Sequence, residues 1–113
     1  MFAQLVIFDG PRSPEFSAAA DRAGRGRIMP MLASDPVFGP AHPGSYILQA
    51  ADGGRAVLIL ADTEAAITHA SKLVTGSELL PDEDPALLTD PDHVVTYEVV
   101  YAMSPGFPEL GNN

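Results

Sequence analysis

The chain is 113 residues long, and its 46% hydrophobic and 19% charged content fits one folded domain rather than a disordered segment. A formal net charge of -9 argues against nucleic acid as a partner, because nucleic-acid binding needs a positive surface. The absence of cysteine excludes disulfides, thiolate metal sites and a cysteine nucleophile, and no apolar run approaches the roughly 20 residues of a membrane helix. We therefore expect a cytoplasmic protein.

The first half of the chain predicts a strand, a helix and a second strand. The strand covers 1–8, and Ser13 and Pro14 after it are typical of a helix start. The helix is predicted from 14 to about 29, because Pro30 ends or kinks it. A loop rich in proline and glycine then leads to the strand at 45–50.

The second half begins with a hairpin signal. Asp52-Gly53-Gly54 predicts a tight turn into a third strand at 55–61. Asp62-Thr63-Glu64 opens a second helix that runs to about 74, with a clean apolar stripe. An acidic, proline-rich loop at 77–92 separates this helix from a fourth strand at 94–102.

This β-α-β-β-α-β order predicts one α+β domain of the ferredoxin-like type over 1–102, followed by a C-terminal tail at 103–113. The second and third strands form a hairpin. The crossovers complete a four-stranded antiparallel sheet with both helices on one face.

Both faces of the predicted sheet are apolar. In the fourth strand, Val95, Tyr97 and Val99 alternate with Val94 and Thr96, so neither side is consistently polar. An open antiparallel sheet normally leaves one face polar, and two helices cover only one face. We therefore expect a homodimer with its sheets packed face to face, a dimeric α/β barrel. The alternative is a monomer whose tail and loops fold over the sheet.

The plan of the chain resembles the dimeric α/β-barrel superfamily, and within it the small antibiotic-biosynthesis monooxygenases. The resemblance lies in the element order over about 1–102, in the length, and in the first strand with its short turn into a Ser-Pro-capped helix. It implies a pocket between the sheet and the helices of each subunit. The Asn–His–Trp set of the haem-degrading branch cannot be assembled, because the chain lacks tryptophan and has only Asn112 and Asn113 as asparagines.

Arg27 is the most unusual candidate for a functional residue. If the first helix continues through it, Arg27 and Met31 share one apolar arc of that helix. A guanidinium on such an arc needs an anion, which Glu98 or an acidic ligand would supply. The alternative is that the two glycines just before Arg27 end the helix and leave its side chain exposed.

His69 lies on the flank of the second helix's apolar stripe, where it would reach a pocket and transfer a proton near neutral pH. The alternative is a boundary histidine that hydrogen-bonds a neighbouring loop. His42 and His93 have no partner at metal-like spacing, and the acids of the 77–92 loop lack the pattern of a calcium loop. No metal site is predicted.

The strands contribute four further candidates. Tyr97 either packs in a core or dimer interface, or acts as a pocket phenol that orients a substrate. Gln4, Thr96 and Glu98 lie on predicted neighbouring strands, where they form either the polar lining of a ligand pocket or a satisfied interface network.

Two hypotheses of function follow. The first is a small-molecule-binding protein resembling cofactor-independent monooxygenases, with a modest-sized aromatic or carbonyl ligand and no metal or organic cofactor. In it, Arg27 holds an anionic or enolate oxygen, His69 moves a proton, Tyr97 orients the ring, and Met31 and the strand polar residues line the pocket. The second is a non-catalytic dimeric binding or interaction protein whose pocket is filled by its own side chains.

Overall fold

The computed structural model describes residues 1–102. Its strands and helices are, in chain order, β1 Phe2–Phe8, α1 Pro14–Ala23, α2 Met29–Ser34, β2 Gly44–Gln49, β3 Arg55–Ala61, α3 Glu64–Gly76 and β4 His93–Glu98. A π-helical turn, Gly24–Ile28, joins α1 to α2, and a short 3-10 turn, Gly39–Ala41, precedes β2. The predicted tail at 103–113 lies outside the described residues.

The four strands form one antiparallel sheet in the order β2-β3-β1-β4. β1 is central, with Phe2 opposite Ala61 of β3 on one side and Glu98 of β4 on the other. The β2–β3 hairpin turns at Gly53, whose φ of 92° is a conformation that glycine adopts most easily, and a Cβ there would overlap the carbonyl oxygen of Arg12. This arrangement confirms the predicted α+β class with a four-stranded antiparallel sheet, and it is compatible with a ferredoxin-like fold.

The first helical segment is longer than predicted. Ser13 caps α1 by accepting a hydrogen bond from the Phe16 amide at 3.2 Å, as expected from the sequence. The helix then passes Pro30 and ends at Ser34 rather than near 29. The Met29 amide donates to the Gly24 carbonyl, five residues back, and this wider π turn accommodates a proline that a regular helix would exclude.

One face of the sheet packs against the helices to form the core. The buried cluster consists of Leu32, Phe38, Ala61, Ala66, Ile67 and Ala70, with Phe2, Met31 and Ile59 packed against it. The predicted apolar stripe of α3 is confirmed, because Ala66, Ile67 and Ala70 are buried while Thr68 and Lys72 are exposed. No helix among residues 1–102 is long and apolar enough to cross a membrane.

The opposite face of the sheet is apolar and uncovered by the helices. Directly paired residues share a face, which places these side chains together: Leu5, Ile7, Tyr46, Leu48, Leu58, Val95 and Tyr97. We call this set the open face. Leu48 is 48% exposed and Tyr97 is 52% exposed, whereas Leu60, which the pairing also places on this face, is buried. The prediction of a second apolar face is therefore confirmed for the strands described here.

β4 is shorter than the strand predicted at 94–102. It ends at Glu98, and its ladder closes where the Val99 amide donates to the Met1 carbonyl at 2.8 Å. Val100 and Tyr101 follow without regular structure and are 82% and 75% exposed. The last paired residue of β4, Glu98, lies opposite Phe2, the first residue of β1.

Candidate functional site

Arg27 points inward and forms a two-point ion pair with Glu83. Its Nε lies 2.7 Å from Glu83 Oε2, its Nη2 lies 3.0 Å from Oε1, and its Nη1 donates to Ser77 Oγ. The Arg27 side chain is 11% exposed and that of Glu83 is 1% exposed. The sequence prediction of Glu98 as the anion was wrong, since Glu98 is exposed on β4 and the carboxylate comes from the acidic loop.

The turn after α3 positions this carboxylate. Ser77 follows the last residue of α3 and donates from Oγ to the Val74 carbonyl at 2.7 Å. The Glu83 amide donates to the Leu80 carbonyl, and the Leu80 amide donates back to Glu83 Oε2 at 2.8 Å. The hydrogen bond from Arg27, followed by that from Leu80, holds the pKa of the Glu83 carboxyl below its ordinary value. Each of the three donor nitrogens of Arg27 named above is therefore engaged within the protomer.

His69 is paired with a carboxylate at the end of the first helical segment. Its Nε2 lies 2.9 Å from Oδ2 of Asp35, which also accepts the backbone amides of Val37 and Phe38. The Phe38 amide is the main reason that the pKa of Asp35 is lowered, with His69 contributing less. The turn that these bonds stabilise places Phe38 in the core with no exposed surface. The contact matches the alternative of a boundary histidine bonded to a neighbouring segment.

Gln4 and Thr96 meet on the helix-covered face of the sheet. Gln4 is 7% exposed, and its Nε2 donates to Thr96 Oγ1 at 3.4 Å. Glu98 lies on the same face of β4 but is exposed, and Met31 packs against the core cluster. The predicted neighbourhood of β1 and β4 is confirmed, and Gln4 and Thr96 form a small satisfied pair.

Tyr97 lies on the open face, on the other side of the sheet from the helices that carry Arg27 and His69. The two helical residues are also apart from each other. His69 is bonded in the first half of α3, whereas Arg27 is bonded at Ser77 just beyond its end, about 12 Å further along the helix axis. The described structure does not bring these three candidates together.

Arg12 was not selected from the sequence. Its guanidinium lies over the Phe16 ring, 4.7 Å from the centroid, and donates to Asp92 Oδ2 at 2.9 Å and to Thr89 Oγ1 at 2.8 Å. The Asp9 amide and then Arg12 lower the pKa of the Asp92 carboxyl. The partners lie about 80 residues away in the chain, so no local pattern could have identified this cluster.

A groove of about 690 Å³ opens at the hairpin end of the sheet. Its lining includes the apolar residues Ile7, Leu48 and Ala56 and the polar residues Asp9, Asp52 and Arg55. Its lining contains none of the site residues predicted from the sequence. Among residues 1–102, no group of three or more histidine or acidic side chains is placed to hold a metal ion.

Comparison of the chain with protein-family models, with curated proteins and with solved structures finds no match. The class of protein therefore follows from the fold alone: an α+β domain with one face covered by helices and one open apolar face. The resemblance to dimeric α/β-barrel proteins stays a prediction.

Proposed function

We propose that the protein is a non-catalytic homodimeric binding or interaction protein, assembled as a dimeric α/β barrel through its open face. The observation that carries this proposal is the exposure of four side chains on that face, Val95, Tyr46, Leu48 and Tyr97, which are 39% to 52% exposed. Contiguous apolar patches of this kind on a monomer are typical of interaction surfaces. A second copy is the simplest partner, because two identical faces are complementary around a twofold axis.

The filled interior supports a non-catalytic role. The space between the sheet and the helices holds Phe38 and Leu32, both buried. Arg27 is neutralised by Glu83, and His69 is bonded to Asp35. A substrate oxygen would have to displace the Glu83 carboxylate before the bonded nitrogens of Arg27 acted on it.

The first test compares two variants, in each of which an equally exposed side chain of β4 is replaced by glutamate. Tyr97 lies on the open face and Val94 on the helix side of the same strand, and each is 52% exposed. Tyr97→Glu buries a charge in the proposed interface and should weaken the dimer at least tenfold, whereas Val94→Glu should leave it intact. Light scattering and native mass spectrometry at micromolar concentration give the masses.

A monomeric mass for the unmodified chain at that concentration would overturn the proposal. Equal weakening by the two variants would also contradict it, because the effect would then not depend on the face of the sheet.

A second candidate function, small-molecule binding as in the monooxygenase-like resemblance, is favoured by the groove of about 690 Å³. Its volume falls in the range of roughly 300–1,000 Å³ that ligand sites occupy. A modest-sized aromatic or carbonyl ligand should then remain on protein purified from its source and appear in native mass spectrometry. Ala50→Trp, at the groove, should remove it, and Ala65→Trp on the exposed side of α3 should not. A bare protein mass in every case would contradict this candidate.

A further inference from the structure

His42 and Ser45 form a bonded pair at the start of β2. His42 Nε2 lies 2.6 Å from Ser45 Oγ, and both residues are half-buried. A histidine nitrogen within hydrogen-bonding distance of a serine hydroxyl is the arrangement that activates serine as a nucleophile. This pair is distinct from the contacts of Arg27 and His69 described above.

Packing holds the imidazole of His42 in place. Its ring stacks on the ring of Phe38, with the two centroids 4.6 Å apart and the planes inclined by 29°. Phe38 belongs to the core cluster and has no exposed surface, so it gives the imidazole a rigid support. Ser45 lies on the same side of the sheet, because it pairs with Ile59, which packs against that core. The core therefore positions the histidine, and the strand positions the serine.

Burial favours the neutral form of His42. It is the main reason that the pKa of His42 is lowered from its ordinary value, and a hydrogen bond with the backbone of Gly44 opposes this effect only in part. A neutral imidazole has one ring nitrogen without a proton, whereas an imidazolium has none. Near neutral pH, His42 is therefore able to accept a proton from a bonded hydroxyl.

The backbone of Ser45 faces outward from the edge of the sheet. β2 pairs with β3 alone, and at the hairpin the Ala50 amide donates to the Gly54 carbonyl at 2.7 Å. Only every second residue of an antiparallel strand bonds to a given neighbour, so the even-numbered residues of β2 bond to β3 and Ser45 does not. The Ser45 amide is therefore a donor for negative charge that develops on a carbonyl oxygen when Oγ attacks the carbonyl carbon.

The surface beside Ser45 is apolar. Ile47 is two residues further along β2, so it shares a face with Ser45 at a distance of about 7 Å. Its side chain is 53% exposed, and β2 itself contains no charged residue. A small apolar acyl group fits this surface better than a charged group, because a charge would lose hydration there without gaining a partner.

We propose that Ser45 is a nucleophile, activated by His42, that accepts a small apolar acyl group from an activated carboxylic ester. Oγ bonds to the carbonyl carbon while its proton passes to His42 Nε2. The bond from that carbon to the leaving oxygen then breaks, and the leaving oxygen takes up the proton. The products are an ester of Ser45 and a free alcohol or phenol, so neither an oxidant nor a cofactor is needed.

This modification goes beyond the interaction role proposed above and does not depend on it. The two residues lie on the helix side of the sheet, across from the open face. One acylation per chain also requires no turnover, so it is compatible with a protein that is not an enzyme.

Incubation with p-nitrophenyl acetate tests the proposal. Peptide mass spectrometry locates the acetyl group and so distinguishes Ser45 from the amine of Lys72, which reacts without help from a base. Ser34 is the matched control in the same chain, because it is an exposed serine whose Oγ donates to the Met31 carbonyl. Ser45 should be acetylated at least tenfold faster than Ser34.

The variant His42→Gln keeps a hydrogen-bonding side chain beside Ser45 but removes the group that takes the proton. It should slow acetylation of Ser45 at least tenfold and leave Ser34 unchanged, with circular dichroism as the check on the fold. Equal rates at Ser45 and Ser34 in the unmodified chain would overturn the proposal, and this comparison holds even if the variant unfolds. An undiminished rate at Ser45 in a folded His42→Gln variant would overturn it as well.

Discussion

At the scale of single residues, the pair formed by Arg27 and Glu83 dominates the energetics of the loop after α3. Two charges with side chains only 11% and 1% exposed are stable together because the guanidinium and the carboxylate meet at two points. Removing one partner leaves the other charged and poorly hydrated, which is more costly than losing the pair as a whole.

We expect Arg27→Ala to lower the free energy of unfolding by about 3–5 kcal/mol, because Glu83 is left buried without its counter-ion. The double variant Arg27→Met/Glu83→Leu should recover much of that loss. Arg22→Ala is the control, since its ion pair with Asp82 spans 3.9 Å between exposed side chains and should contribute less than about 1 kcal/mol. Urea denaturation followed by circular dichroism is suitable, because the chain has no tryptophan.

The pH dependence of the same pair has a definite sign. The folded pKa of Glu83 is lowered, so its contribution to stability is present above the unfolded value of about 4.3 and is lost as pH falls through the folded pKa. The difference in unfolding free energy between the unmodified chain and Arg27→Ala should therefore shrink below that pH. A cost under about 1 kcal/mol near neutral pH, or a difference that grows on acidification, would contradict this account of the pair.

At the scale of elements, local sequence signals located the helices and strands well but misplaced two of their ends. The first helical segment continues past Pro30 because the preceding π turn removes the conflict between the proline ring and the helix backbone. β4 stops at Glu98, which lies opposite the first residue of β1, although the composition of the residues that follow also favours a strand.

The π turn leads to a prediction about glycine. Gly24 has a helical φ of -62°, and a Cβ added there meets nothing within 4 Å. Gly24→Ala should raise the free energy of unfolding by about 0.4–1 kcal/mol, because alanine restricts the unfolded chain more than glycine does. Gly53→Ala is the opposite case, since its φ of 92° and the nearby Arg12 carbonyl should make it destabilising. Thermal unfolding of both variants would contradict this reasoning if Gly24→Ala were the less stable of the two.

At the scale of the whole molecule, the uneven distribution of charge along the chain allows ion pairs between its two halves. The acidic surplus lies in the second half, whereas all five arginines lie within residues 1–55. Among residues 1–102, three arginine–carboxylate pairs connect the halves: Arg12 with Asp92, Arg22 with Asp82, and Arg27 with Glu83. The acidic loop at 77–92 is therefore attached by its carboxylates to the β1–α1 turn and to the first helical segment.

The sequence by itself determined the α+β class, the bounds of β3, the buried stripe of α3 and the two apolar faces of the sheet. Each of these depends on periodicity within a few residues, which is readable along the chain. Only the tertiary structure decided three further features. They are the partner of Arg27, 56 residues away in the chain, the bond between His69 and Asp35, and the position of Tyr97 on the other side of the sheet from Arg27 and His69. Such contacts depend on how segments that are distant in the sequence pack against each other. The local sequence pattern does not show which distant segments meet, so it cannot predict these contacts.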